Sequence, residues 1–373
     1  MGSTTTMHAG ARHRQHLRRG QKLFLAFLIL VLALVALRAY LPELVRDQIN
    51  ARIDRMGDYH GHVADVDIHL WRGAYSLNKL VIQKATGKVP VPLLDAPRVD
   101  LAISWKEIFH GGIVGRVEFD RAQLNFVDGG SQSSSQAGGG VNWRRELEAI
   151  LPVKLNEVRV VDSTVFFRNF ISNPPVDLRA TKVNGVVKNL TNVRDRDGKR
   201  VADLELNALI LDDAPMETKA TFDPFTDFTD FTFDLRVTHI DVTKLNPLFQ
   251  AYAKLDAASG SGDLVVQMQA KDSQLTGYAK PILQDVKIAS WKQDVEEQHD
   301  NPLRVAWEAT AGFVKNLFKN QPENQLATKV EFNGTLKNPK TSTLDTLINL
   351  LHNAFVQAYA PQFDEARKTK PER

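Results

Sequence analysis

Cysteine is absent from the 373-residue chain, and neither sign of charge dominates it. Without thiols the protein has no disulfides, cysteine nucleophiles, iron–sulfur clusters or thiolate metal sites. A disulfide-free exported protein fits this composition, as do many cytoplasmic proteins. The formal net charge is +3, and no basic face with interleaved aromatic residues occurs beyond residue 45. Nucleic acid is therefore not expected as a partner.

Common catalytic motifs are also missing. The sequence contains no GxSxG elbow, phosphate-binding loop, GxGxxG turn or HExxH helix. One stretch concentrates side chains that can bind metals: His60, His62, Asp65, Asp67 and His69. A zinc or calcium site is one interpretation. We favour the other, that these residues form the solvent-facing side of an alternating strand. We predict a protein that is not an enzyme and that holds no metal or cofactor.

One long hydrophobic run stands near the N-terminus. Residues 23–37 read LFLAFLILVLALVAL, without a charge. With Lys22 and Arg38 as ends that reach the interface, and residues 39–41 added, the segment has about twenty residues, enough for roughly 30 Å of hydrocarbon. Basic residues precede it, and the first acidic residue is Glu43. The positive-inside rule then keeps the N-terminus in the cytoplasm and exports the rest. A cleaved signal peptide is the alternative, but the small-x-small cleavage motif that such a peptide requires does not follow the run.

The segment after this run shows helical spacing. Apolar residues fall at 41, 44, 45, 49, 53 and 56, and Pro42 predicts a kink or a helix start. The segment is interpreted as a short helix that caps the following domain, or as a helix lying on the membrane surface. The predicted divisions are a cytoplasmic basic tail (1–21), a transmembrane anchor (22–41), a first β part (42–128), a flexible Gly/Ser loop (129–142), a second β part (143–290) and a C-terminal helix-strand-helix region with a charged tail (291–373).

From residue 62 onward the hydrophobic period changes to two, which indicates antiparallel strands with one apolar and one solvated face. HVADVDIHLW, for example, alternates Ala64, Val66 and Ile68 with acidic residues. The fold class predicted is mainly β, with one N-terminal transmembrane helix, a largely antiparallel sheet and a few helices near the C-terminal end. The predicted apolar face contains Val66, Ile68, Leu70, Leu101, Ile103, Val117, Phe119, Leu124, Phe126, Leu204, Leu206, Phe233, Leu235, Val237, Val266 and Met268.

Three arrangements would hide such an apolar face. The sheet can pack on a second sheet, it can be covered by the C-terminal helices, or it can curl into a groove lined by lipid chains. All three demand the same alternation, so the pattern does not separate them. From the residues alone an ordinary packed core is favoured.

Four stretches of the sequence are distinctive: MGDYHGHVADVDIHLWRGAYSLNKLVIQK (56–84), VPVPLLDAPRVDLAISWKEIFHGGIVGRVEFDRAQLNFVDGG (89–130), LTNVRDRDG (190–198) and LNPLFQAYAKLDAASGSGDLVVQMQAKDSQLTGYAKPILQDVKI (245–288). They resemble AsmA-like bacterial envelope proteins, in a branch of unknown function related to AsmA and TamB. The resemblance covers most of residues 40–290. It implies an inner-membrane anchor, a periplasmic domain and a long curved sheet, open along one side, whose apolar lining carries phospholipid.

Under this resemblance the apolar-face residues above become the expected lipid-binding residues. The implied function is to bind or guide phospholipid for envelope and outer-membrane lipid homeostasis. The alternative is a non-catalytic scaffold or interaction module with a dry core. Roughly fifteen to eighteen strand-like segments predict a groove of about 70–85 Å at about 4.8 Å per strand. A protein of this size would need a partner envelope protein, self-association or a non-bridging role.

Overall fold

Most of the chain up to residue 291 is described by the structure, a computed structural model. The described residues are 9–54, 56–69, 73–103, 114–131, 133–136, 154–190, 201–223, 230–252, 255–291, 325–327 and 329–336. The helices predicted within 291–373 lie outside this part of the chain. The strand of the predicted helix-strand-helix region is confirmed as Val330–Thr335.

The described part contains two α-helices and fourteen strands. The helices are α1 (Ala9–Ile53) and α2 (Asn246–Tyr252), with a 3₁₀ turn at Val242–Leu245 before α2. The strands are β1 (Tyr59–His69), β2 (Ala74–Lys84), β3 (Leu94–Ile103), β4 (Val114–Asp120), β5 (Gln123–Val127), β6 (Lys154–Asn169), β7 (Val176–Lys188), β8 (Ala202–Ile210), β9 (Ala214–Phe222), β10 (Phe231–Asp241), β11 (Leu255–Lys271), β12 (Gln274–Trp291), β13 (Gln325–Ala327) and β14 (Val330–Thr335).

All fourteen strands belong to one sheet. Its order is β1-β2-β3-β4-β6-β7-β8-β9-β10-β11-β12-β13, with β14 also on β12 and with β5 beside β3 and β6. Every pair is antiparallel except β4–β6 and β5–β6. That parallel step follows the Gly/Ser segment, which supplies the long connection that a parallel pair requires. The predicted class, mainly β with a largely antiparallel sheet, is confirmed.

The N-terminal helix is longer than the sequence predicted. We expected the membrane segment to stop near residue 41 and Pro42 to mark either a kink or the start of a separate helix. Instead α1 continues through Pro42 to Ile53. The reason is tertiary packing: Ile49 and Ile53 are buried against the first strands, and this burial offsets the backbone hydrogen bond that proline cannot donate.

The end of α1 closes the outer edge of β1. The Asn50 side chain donates through Nδ2 to the Val63 carbonyl oxygen (3.0 Å) and accepts from the Val63 amide at Oδ1 (2.7 Å). Its amide thus takes the place of a neighbouring strand residue. Gly61 lets the helix approach, because a Cβ there would stand 3.1 Å from Ile53 atoms. An edge covered in this way cannot pair with another chain.

Left-handed residues mark irregularities inside five strands. Lys79, Asp162, Lys182, His239 and Asp285 have φ between 43° and 59°. Their neighbours satisfy the displaced backbone groups. The Asp162 amide donates to Asn184 Oδ1 at 3.0 Å, and the His239 amide donates to an Asp263 carboxylate oxygen at 2.8 Å. Such bulges bend strands and increase their twist, which curves a sheet.

Replacing Asn50 with alanine should open the edge of β1. Water can take over the lost hydrogen bonds, so we expect a local cost of about 1 kcal/mol, or roughly fivefold faster exchange of the β1 amides. Hydrogen–deuterium exchange on the full chain in detergent micelles measures this rate. Gln48→Ala, at an exposed position of the same helix, is the control and should leave β1 unchanged. Equal exchange in both variants would show that Asn50 does not protect the edge.

Candidate functional site

Two largely apolar rows run across the sheet, and Thr218 is the one polar residue in them. Residues opposite each other in neighbouring strands share a face, so the register identifies the rows. The central row is Val66, Leu77, Val99, Phe119, Val160, Gly185, Leu206, Thr218, Leu235, Val266, Ala279 and Val330. The flanking row is Ile68, Tyr75, Leu101, Val117, Val158, Val187, Leu204, Ala220, Phe233, Met268, Gly277 and Phe332. Each row crosses twelve strands.

The opposite face carries an equally long row in which every residue except Val186 is polar. It contains Asp67, Ser76, Asp100, Glu118, Arg159, Val186, Glu205, Lys219, Asp234, Gln267, Tyr278 and Glu331. Burial opposes ionisation of Asp100, but hydrogen bonds from Arg98 and Ser76 outweigh it and hold the pKa of Asp100 below its usual value. The sheet therefore has one ionic, solvated face and one apolar face.

The apolar face is closed at its α1 end. Val66, Leu101 and Val117 are at most 4% exposed and share a core with Ile49 and Ile53 of α1. Three further predicted residues pack against this core: Ile68, Phe119 and Leu124. Tyr75 does so too, and burial raises the pKa of its hydroxyl to about 12. These positions face other side chains of the protein.

The middle of the apolar face is half-exposed. We call the half-buried members of the two rows between β6 and β11 the window: Val158, Val160, Gly185, Val187, Leu204, Leu206, Ala220, Phe233, Leu235 and Val266. The described helices make their main sheet contacts with β1, β7 and β11. Five strand steps at about 4.8 Å give the window a length of about 24 Å.

The other predicted site residues fall into three groups. Val237 lies two residues beyond Leu235 in β10, on the same face, and is buried. Met268 is buried at the β11 end of the window. Phe126 is half-buried on β5, opposite Phe167. Leu70 and the side chain of Ile103 lie outside the described residues.

The metal-ligand cluster that the sequence suggested is spread along β1. His62, Asp65, Asp67 and His69 are exposed, and Asp67 accepts a hydrogen bond from Asn78 (2.8 Å). Within the described ranges no three His, Asp or Glu side chains are placed to hold a metal ion. In the same strand Val63 is buried and Ala64 is exposed, so the predicted inward position of Ala64 is wrong. The alternation changes phase there, next to the left-handed Lys79 of β2.

A buried polar network that the sequence did not predict holds α2 at one end of the window. The Tyr252 hydroxyl of α2 donates to Asp128 Oδ2 at 2.6 Å, and Asn169 Nδ2 donates to the Tyr252 oxygen at 2.8 Å. Leu248 of α2 packs with Val176 at the start of β7. The α2 helix therefore covers the ends of β6 and β7. Asp128 and Tyr252 are 124 positions apart, so no local pattern could have revealed their contact.

The comparisons with known proteins add no family. The chain matches no protein-family model, and no curated protein matches it.

Replacing Tyr252 with phenylalanine should loosen α2. The change removes one donor from a carboxylate that is 2% exposed, at a cost of about 1–3 kcal/mol. We expect the melting temperature of the full chain in detergent to fall by a few degrees. Tyr278→Phe removes a hydroxyl that donates to Gln267 on the exposed polar face and should have little effect. A matching fall in both variants would contradict this role for the network.

Proposed function

We propose that the protein is anchored in a membrane by α1 and uses the window to bind or guide the acyl chains of phospholipid. The observation that carries the proposal is the pair of largely apolar rows whose middle is half-buried, whereas Val66, Leu101 and Val117 at the α1 end are fully buried. A packed core would bury the middle as completely as it buries the α1 end. A row of neighbouring apolar side chains that stay partly accessible to solvent is typical of a binding surface.

The anchor is supported by the exposure of the helix. The segment Gln21–Ile53 is helical, and it is long and apolar enough to cross a membrane. Its most apolar part is not buried against the rest of the protein. Leu23, Phe24 and Phe27 are each more than 60% exposed. Such a helix needs an apolar surrounding, which a bilayer supplies. The basic residues before it support a location of the sheet outside the cytoplasm, because the positive-inside rule keeps the basic end in the cytoplasm.

The dimensions of the window suit an acyl chain. Half of a hydrocarbon core of about 30 Å is about 15 Å, the depth that one chain fills. The window, at about 24 Å, accepts such a chain along its length. Since the polar row lies on the opposite face, the phosphate headgroup would stay at the solvent-exposed rim of the window.

The length of the whole sheet limits the role. The hydrogen-bonded order contains twelve strands. Their eleven spacings of about 4.8 Å give a sheet about 53 Å wide. We therefore propose local lipid handling at the bacterial inner membrane, facing the periplasm, with any longer path completed by another envelope protein or a second copy. The resemblance to AsmA-like proteins supports this compartment and this class of ligand.

In-cell photocrosslinking tests the window directly. A photoreactive residue at Leu206 or Val266 should give phospholipid adducts that mass spectrometry detects. Two controls use adjacent positions on the polar face, Glu205 and Gln267, and a third uses Val66 in the closed core. We expect no lipid at the three control positions. Crosslinks only within the protein at Leu206 and Val266 would contradict lipid binding and favour a scaffold with a dry core.

A charge in the window should lower the amount of bound phospholipid. Leu206→Asp places a carboxylate against the acyl chain, and we expect phospholipid that copurifies with the full chain to fall several-fold. Asn207→Asp adds the same charge on the next residue, which is exposed on the opposite face, and should leave the lipid content unchanged. Val266→Thr adds a hydroxyl with almost no change of shape, so a smaller fall is expected there without misfolding. Equal lipid content in all three variants would contradict the proposal.

A further inference from the structure

We propose that the β1–β4 ends of the sheet stand directly on the surface of the bilayer that α1 spans. We call this rim the seat; it consists of the neighbouring residues His69, Ala74, Ala102 and Arg116. The proposed partner is a lipid surface, contacted by strand ends rather than by the apolar window. The proposal rests on the membrane anchor proposed above and adds the orientation of the domain.

The first observation is that α1 runs alongside β1 in the opposite direction. Asn50 is hydrogen-bonded to Val63, and Arg38 Nη1 lies 3.5 Å from the Ile68 carbonyl oxygen. The helix covers about 18 Å between its two contacts at 1.5 Å per residue. The strand covers about 17 Å between the same contacts at about 3.3 Å per residue. The two elements are therefore nearly aligned over this length.

The second observation is the level at which the apolar run ends. Arg38 is the first charged residue after the run, and arginine at such an end marks the interface. Because the helix continues past Ile68 toward its N-terminus, residues 21–37 project beyond the seat. Tyr40 is 67% exposed, and tyrosine is enriched where membrane meets water. The contact of Arg38 with Ile68 thus brings the end of β1 to the level of the headgroups.

The orientation of the first strands follows from these contacts. The strands β1 to β4 stand upright on the membrane, and their other ends lie away from it. Ala74 and Gln83 are nine residues apart in β2, which is about 30 Å. In the sequence, the connections that follow His69 and Ile103 contain Trp71-Arg72 and Trp105-Lys106, a combination of residues typical of membrane interfaces.

Single-cysteine labelling of the full chain tests the seat, and the absence of native cysteine makes each label unique. A fluorophore is attached to His69→Cys or Ala102→Cys at the seat, or to Gln83→Cys as the matched control. All three positions are exposed. A fourth label, on Leu30→Cys, reports the anchor. Each variant is placed in phospholipid nanodiscs that contain spin-labelled lipid, with the spin label on the headgroup or on the acyl chain.

We expect headgroup spin labels to quench the fluorophores at His69 and Ala102 several-fold more than the one at Gln83. Acyl-chain spin labels should quench the fluorophore at Leu30. Quenching at Leu30 with equal quenching at His69, Ala102 and Gln83 would overturn the seat and leave the anchor intact. An unquenched label at Leu30 would overturn the anchor and the seat with it. Lipid adducts in the window are an independent result, so the lipid-binding proposal stands or falls separately.

Discussion

The structure depends on keeping twelve strands in phase. A slip of one residue in any pair would move the apolar side chains of every later strand to the solvated face. Where one strand carries an extra residue, its neighbour compensates. The β6–β7 register shifts between Val160 and Ser163, and the β7–β8 register shifts between Thr181 and Asn184, at the same height of the sheet. The left-handed Asp162 and Lys182 lie at these shifts. Curvature is thus introduced without interrupting the apolar rows.

The end of the sheet beside α1 and the middle of the sheet are covered to different extents. At the first end, α1 supplies side chains for the core and an amide for the strand edge, so α1 and the sheet form one unit. This coupling explains why α1 does not stop at Pro42: residues 45–53 are needed to close β1. Further along, α2 covers the strand ends beside the window. The window therefore lies in the middle of the sheet, away from the end that α1 closes.

Period-two alternation was enough to predict the strands and the face on which Leu204, Leu206, Leu235 and Val266 lie, because burial on one side imposes that period. The alternation could not distinguish the fully buried positions from the half-buried ones. Val66 and Leu206 look alike in the sequence, and only the position of α1 separates them. The phase change at Val63 and the contact of Asp128 with Tyr252 were also invisible, since both depend on residues that meet only in the folded sheet. Pro42 predicted a kink or a helix start, and long-range packing keeps α1 continuous through this residue.

Under the proposed function, the partial exposure of the window has an energetic consequence for the binding of lipid chains. A chain that leaves water for the window gains about 0.8 kcal/mol for each buried CH₂ group. A chain that arrives from a bilayer gains almost nothing, because lipid tails are as apolar as leucine. Exchange between the bilayer and the window is then close to balanced, whereas release into water is strongly opposed. Such a surface would not retain lipid tightly. It would let chains move along rows of similar residues, which suits guidance between apolar surroundings better than storage.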